Sequence, residues 1–152
     1  MPEAPLRHTE EGLVADGDGW FVVNARAARW RNEGPLGHYC NFEGERSFPQ
    51  FGINLNVLEP GQPMAMYHRE PAQEGFLVLS GECVLVVEGA ERRLVQWDFF
   101  HCPPETDHVI VGAGAGAVVL AVGARGPELD GTVYPVSEVA ARQGASVERE
   151  TT

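Results

Sequence analysis

At 152 residues, with 43% apolar and 22% charged side chains, the chain has the size and make-up of one folded domain around a single core. A formal net charge of −11, with no lysine cluster, excludes phosphate backbones and anionic membrane surfaces as partners, leaving small molecules and other proteins. No apolar run approaches the roughly 20 residues of a membrane helix, and Met1-Pro-Glu-Ala-Pro has neither the basic nor the apolar part of a secretory signal, so the expected location is cytoplasmic.

In chain order, residues 1–19 are rich in Pro, Glu, Gly and Asp and read as a flexible arm. Trp20-Phe-Val-Val-Asn24 predicts a first strand, and Ala25–Trp30 a helical turn before a Gly/Pro loop over 32–37. Phe51–Leu58 sets Ile53, Leu55 and Val57 against Asn54 and Asn56, a period of two and so a strand with one buried face. Glu59-Pro-Gly-Gln-Pro63 is turn chemistry. Short apolar runs then follow at 64–69, 74–80, 83–88, 92–95, 99–102, 108–111 and 117–122. Ser80-Gly-Glu, Glu88-Gly-Ala, Pro103-Pro104 and a Gly/Ala stretch over 112–116, read as a tight hairpin, punctuate them. Many short strands between closely spaced turns predict an all-β barrel or sandwich. Beyond residue 125, Ser137 caps a short helix over Glu138–Gln143 that Gly144 ends, and 145–152 reads as frayed. The division is an arm at 1–19, a barrel over 20–125 and an extension over 126–152.

The chemistry concentrates in two segments, Met64-Ala-Met-Tyr-His68-Arg-Glu70-Pro-Ala-Gln-Glu74 and Cys102-Pro-Pro-Glu-Thr-Asp-His108. His68 and Glu70 are two apart, so on an extended strand they share a face with Met64 and Met66. Glu74 opens the next strand with Phe76 and Val78 on its side, and His108 enters from a third. Taken singly, each residue has an ordinary alternative as a hydrogen-bonded histidine or a solvated turn acid. Together, two imidazoles and two carboxylates neutralise a divalent cation, with ligand chemistry suited to zinc, iron, manganese or nickel. Without a cation, two interior carboxylates repel, and one stays protonated. Metal ligands are therefore expected at His68, Glu70, Glu74 and His108, with Glu70 alternatively an unbound base. Met66, Gln73 and Phe76 are the expected contacts to a small-molecule ligand.

These residues carry a resemblance to the cupin superfamily of small β-barrels. The family's first pattern is Gly, five residues, His-x-His, three or four residues, Glu, six residues, Gly. Here Glu74, six residues and Gly81 match, six residues separate Gly61 from His68, and Glu70 stands at the second histidine position. The second pattern is Gly, five residues, Pro-x-Gly, two residues, His, three residues, Asn. Pro103 and His108 match, while Trp97, Glu105 and Gly112 replace Gly, Gly and Asn. The resemblance covers about residues 51–123 and implies an antiparallel double-stranded β-helix, or jelly roll, around one divalent metal. Glu70 departs from the usual three-histidine, one-glutamate set, and Glu105 at a glycine position implies an unfavourable backbone conformation.

Several other side chains have a competing role. Tyr67 has the opposite parity to His68 and should pack away from the site. His101 and Cys102 point to opposite faces, so at most one approaches it. Cys83 reads as a core thiol, and Cys40, Cys83 and Cys102 have no disulfide-framework spacing. His38 reads as a surface residue of a glycine-rich loop. Trp20, Trp30 and Trp97 are packing anchors or subunit contacts, and the assembly expected is a homodimer through the Trp20-Phe-Val-Val arm. The expected function is a small-molecule metalloenzyme of oxygenase, isomerase or lyase type. The alternatives are a non-catalytic binding or sensing barrel and a metal-free structural one.

Overall fold

In the computed structural model, which describes residues 1–152, the chain forms eight strands and one helix in the order β1 (Leu6–Thr9), β2 (Gly12–Ala15), β3 (His38–Cys40), β4 (Phe51–Leu58), β5 (Glu74–Val87), β6 (Ala90–Val95), β7 (Phe99–Cys102), β8 (His108–Ala124) and α1 (Glu138–Arg142). β5 and β8 dominate, running antiparallel from the Glu74–Gly123 pair to the Val87–His108 pair. Their register slips between Val78 and Ser80 and between Gly81 and Glu82, so both strands bend at the same level. The bend turns one ladder into two facing sheets. β3, β4 and β7 join the first half of β5 and the second half of β8, while β6 joins the other halves. This is the double-stranded β-helix expected of the sequence.

The bend also explains where expectation and structure part. The predicted hairpin at 112–116 does not exist, because the glycines lie inside β8, which continues through them. The expected breaks after residues 80 and 111 are bends, not chain reversals: Ser80-Gly81 faces the Gly116-Ala117 region across the ladder. A true two-residue turn sits where Glu88-Gly-Ala signalled it. Glu88 (φ 48°) and Gly89 (φ 76°) both take positive φ, as a type I′ hairpin between β5 and β6 requires. Trp97 and Glu105, at positions where the family pattern has glycine, also adopt positive φ, 74° and 64°.

Leu58, Phe76, Val78, Cys83, Leu85, Ile110 and Val119 fill the space between the sheets. The first half of β8 is buried on both faces, because α1 and the C-terminal tail cover its outer side. Tyr67, Val86, Val109, Val111, Ala140 and Ala145 form that second cluster. Ser137 caps α1 as predicted, its Oγ accepting from the Ala140 N–H at 3.2 Å. The tail is docked rather than frayed: Ala145 is fully buried, its carbonyl accepts the Tyr67 N–H at 2.7 Å, and Thr151 bridges to Tyr134.

The N-terminal reading needs correction. Within the segment expected to be a flexible arm, β1 and β2 form a hairpin, with the Thr9 hydroxyl donating to the Gly12 carbonyl at 2.7 Å. Trp20–Asn24 is not a strand: only Trp20 bridges, to Glu3, and Val22 is exposed. Strand propensity there finds no sheet edge to pair with, and Phe21 stacks on Phe48 instead. Residues 25–27 make a single turn held by Asn24. The 64–69 segment is not a regular strand either, pairing only through bridges at Pro63, His68 and Arg69.

Gly81 and Gly89 share nearly the same φ, 72° and 76°, but a Cβ at Gly81 would run into the Gly116 carbonyl, whereas at Gly89 it meets nothing within 4 Å. Gly89→Ala should cost about 1 kcal/mol for left-handed backbone alone. Gly81→Ala should cost roughly 2–4 kcal/mol, the same strain plus overpacking at the bend. Urea unfolding of both variants checks this, and equal costs would mean that the bend is not tightly packed.

Candidate metal centre

His68, Glu74 and His108 converge on one point inside the barrel, each offering a ligand atom within 4.8 Å of the others. Glu74 and His108 are the first residues of β5 and β8, and His68 comes from the bridged segment before β5. The two histidines sit opposite each other in a reciprocal backbone pair, His68 N–H to His108 O at 3.0 Å and His108 N–H to His68 O at 2.8 Å. That pairing sets their rings side by side with centroids 4.7 Å apart.

The hydrogen bonds of the rings fix which nitrogens remain free. His68 Nδ1–H donates to the Met66 carbonyl at 2.7 Å, and His108 Nδ1–H donates to the Thr106 carbonyl at 3.0 Å. Both Nε2 atoms therefore present lone pairs to the interior. His108 Nε2 lies 3.3 Å from Glu74 Oε2, yet neither atom has a hydrogen-bond partner although both are buried. An acceptor facing an acceptor in a buried place is unfavourable unless something positive lies between them. A proton on Glu74 relieves this only through a long contact, because an O–H bridge prefers about 2.7 Å. Two ligands on one ion, at bonds of about 2.1 Å and angles near 90–110°, stand about 3–3.5 Å apart. The donor set and its spacing thus suit a divalent cation.

Surroundings sharpen the electrostatics. His108 is 2% exposed, with the Phe76 and Phe100 rings 5.3 and 5.8 Å away. Burial, and next the neighbouring His68, push its pKa down to about 4. Burial, and next the charge of Glu70, push Glu74 up to about 8. Without a cation both groups are neutral at pH 7.

Glu70 stands just outside the group of three, its Oε1 3.6 Å from His68 Nε2. Its backbone carbonyl accepts the Glu105 N–H at 2.8 Å, which secures the positive-φ turn. Next to it, Arg69 pairs with Asp107 at 3.1 Å and Glu105 at 3.5 Å, so the segments carrying His68 and His108 are tied together outside the site as well as inside it.

In front of the ligand atoms opens a cavity of about 260 Å³. Phe76 lines it. Met66 does not, because the chain there is irregular and strand parity fails; Met64 and Ala65 line it instead. Gln73 is exposed on an outer groove and only its carbonyl is engaged, by the Ala124 N–H. Tyr67 packs away from the site, its hydroxyl accepting the Gly89 N–H at 3.1 Å. His101 is exposed, and Cys102 lies buried with Sγ 3.4 Å from His108 Nδ1. Burial, and next the charge of Glu74, push the Cys102 thiol up to about 12, which removes any thiolate role. Sequence reasoning missed Glu33, Tyr39, Asn54 and Asn56 as cavity residues. The available signal was the pair of asparagines alternating through an apolar strand, since a solvent face seldom needs them.

Residues 54–123 match the sequence model of the Cupin domain. The structure is similar to a sugar phosphate isomerase from a cupin superfamily of Silicibacter pomeroyi, at 26% identity and TM-score 0.62 over 74% of this chain and 85% of that one. It is also similar to a cupin 2 domain-containing protein of Halorhodospira halophila, at 20% identity and TM-score 0.59 over 76% and 81%. KdgF of Halomonas sp. gives 18% identity and TM-score 0.59 over 69% and 94%. No curated protein matches the sequence significantly.

In the metal-free protein the two groups should contribute pH dependences of opposite sign, which largely cancel on the acid side and leave a net decline above it. His108, at about 4 folded against a usual 6.5, gives stability that grows as pH rises through that window, because the unfolded chain binds the extra proton. Glu74, at about 8 against a usual 4.5, acts in reverse: the folded state holds the proton, so stability falls as pH rises. The two oppose up to about 6.5, and between there and about 8 only the fall remains. Thermal unfolding in chelator should show that decline, and Glu74→Gln should abolish it.

Proposed function

Since the chain belongs to the cupin superfamily, we propose that it is a metal-dependent enzyme acting on an oxygen-bearing small molecule held in the cavity beside His68, Glu74 and His108. The observation that carries this reading is the unpartnered, buried pair Glu74 Oε2 and His108 Nε2 at the cavity wall. His68, Glu74 and His108 would hold the ion, with Glu70 either the fourth ligand or a base. A bound divalent ion supplies Lewis acidity to a ligand oxygen. Glu70, two-thirds covered and 3.6 Å from His68 Nε2, can accept a proton from a bound molecule or release one to it. The apolar walls from Phe76, Ile110 and Ala121 exclude water from that exchange. Three buried free thiols fit a reducing compartment such as the cytoplasm.

A binding or sensing role of the same pocket makes the same metal prediction and differs only in turnover. Protein purified without chelator or nickel resin should carry about one divalent ion per chain by elemental analysis. His108→Ala should abolish retention while the far-ultraviolet circular dichroism stays unchanged, and unchanged stoichiometry in that variant would sink the reading. Turnover on a panel of hydroxy- and keto-compounds then separates enzyme from sensor.

We also propose a homodimer, formed not by the Trp20 arm but by the outer face of the first sheet. There Ile53, Val122 and Gly75 lie in one cross-strand row and Leu55, Leu120, Leu77 and Phe99 in the next. Phe51, Phe99 and Val122 are exposed there. A face this apolar on a chain of net charge −11 is where two copies can meet without opposing their acids. Wild type should sediment at twice the chain mass at micromolar concentration and Leu120→Glu at the chain mass; a monomeric wild type overturns the dimer.

A further inference from the structure

Apart from Tyr39, every ionisable side chain lining the inner cavity is an acid or an imidazole: Glu33, Glu74, His68 and His108. No arginine faces it, and the chain has no lysine. Two guanidiniums come near it: Arg31 acts on the Tyr39 hydroxyl from outside the lining, while beside Glu70 and Asp130 an adjoining outer lobe is lined by Arg125. Arg125 is already committed, pairing with the buried Glu43 carboxylate and donating to the Phe48 carbonyl at 2.9 Å. An anionic ligand would therefore enter past two carboxylates, Glu33 and Glu70, against the single guanidinium of Arg31, and would find no arginine or lysine lining the cavity beside the metal position, so its approach is on balance repulsive.

Neutral hydrogen-bonding groups are, by contrast, well supplied. Asn54 lines both lobes and its amide has no partner within the protein. The Asn56 amide donates to the Val119 carbonyl at 3.3 Å, leaving its oxygen as an acceptor. The Tyr39 hydroxyl donates to Glu33 at 3.0 Å, and its own oxygen accepts from Arg31 or from a ligand. The opposite wall, with Phe76, Ile110 and Met64, is apolar. A ring of amide and phenol groups facing an apolar wall matches the alternating hydroxyl and C–H surfaces of a polyol.

Resting on the metal reading above, we propose that the cavity binds a small uncharged polyhydroxy carbonyl compound and discriminates against its phosphate ester, with Asn54 and Tyr39 reading the hydroxyls and Glu33 turning anions away. That preference runs opposite to what the printed name of the Silicibacter pomeroyi neighbour would suggest for this chain.

The probes are D-xylulose and D-xylulose 5-phosphate, titrated into desalted, zinc-loaded protein and followed by saturation-transfer NMR. The free sugar should bind at least about tenfold more tightly than its phosphate. Glu33→Gln, on the exposed mouth, should narrow that gap by improving the phosphate alone. Asn54→Leu should weaken the sugar about tenfold while zinc stays at one per chain. Equal or tighter binding of the phosphate, or no binding of either compound by zinc-loaded protein, overturns the inference and leaves the metal reading standing. Failure of wild-type protein to take up zinc overturns both.

Discussion

Two imidazole lone pairs and a buried carboxylate aimed at one another are the constraint on which the interior of this protein turns. Each nitrogen is committed in direction by the proton on the other side of its ring, since both Nδ1 atoms donate to backbone carbonyls two residues upstream. Neither ring can flip to relieve the conflict without orphaning a carbonyl. Glu74, fixed at the start of β5 and mostly covered, cannot swing out to water. The site resolves the conflict by holding a proton on Glu74 or by holding a cation. A divalent ion held there would let the carboxylate ionise and would offset its desolvation together with that of the two imidazoles.

The rest of the fold makes that convergence rigid. Bending β5 and β8 together places their first residues, Glu74 and His108, near one another although the strands run antiparallel over their whole paired length. The reciprocal His68–His108 backbone bonds and the Arg69 contacts to Glu105 and Asp107 then lock the third ligand's segment to the second's. Both glycine-like turn residues, Trp97 and Glu105, sit at the ends of β7, and each has its N–H engaged, with Val78 and Glu70 respectively. Strain at these positions is therefore held by hydrogen bonds that also fix strand order around the site.

What the sequence disclosed and what it hid follow from the range of each signal. Residue-type patterns over a few positions, such as Phe51–Leu58, Glu88-Gly89 and the Ser137 cap, were legible because their physics is local. Glycine misleads at Gly112–Gly116, since it serves a hairpin and a coordinated bend equally well, and only the partner strand decides which. The asparagines of β4 were the most informative misfit. Period two announced one buried face, but the inward one carries Asn54 and Asn56 while Ile53, Leu55 and Val57 face out. An apolar alternation normally marks the core side; here the barrel interior is partly a polar chamber, and the apolar side lies on the outer face. Parity failed for Met66 for a related reason, because a segment paired at single bridges need not alternate.

Glutamate rather than histidine at position 70 ties the site's charge to its chamber. Three imidazoles and one carboxylate around a divalent ion leave one net positive charge, which an anionic ligand can neutralise. With Glu70 in the set the sum is zero, and with Glu70 outside it a second carboxylate stands 3.6 Å from His68, so the surroundings are again neutral overall. A neutral centre beside a cavity walled by Phe76 and Ile110 would draw anions weakly, and Glu33 at the mouth would subtract further. The missing arginine and the extra carboxylate therefore point the same way. On the proposed reading, long-range attraction contributes little, and recognition would come from hydrogen bonds to Asn54, Asn56 and Tyr39 and from coordination at the centre itself.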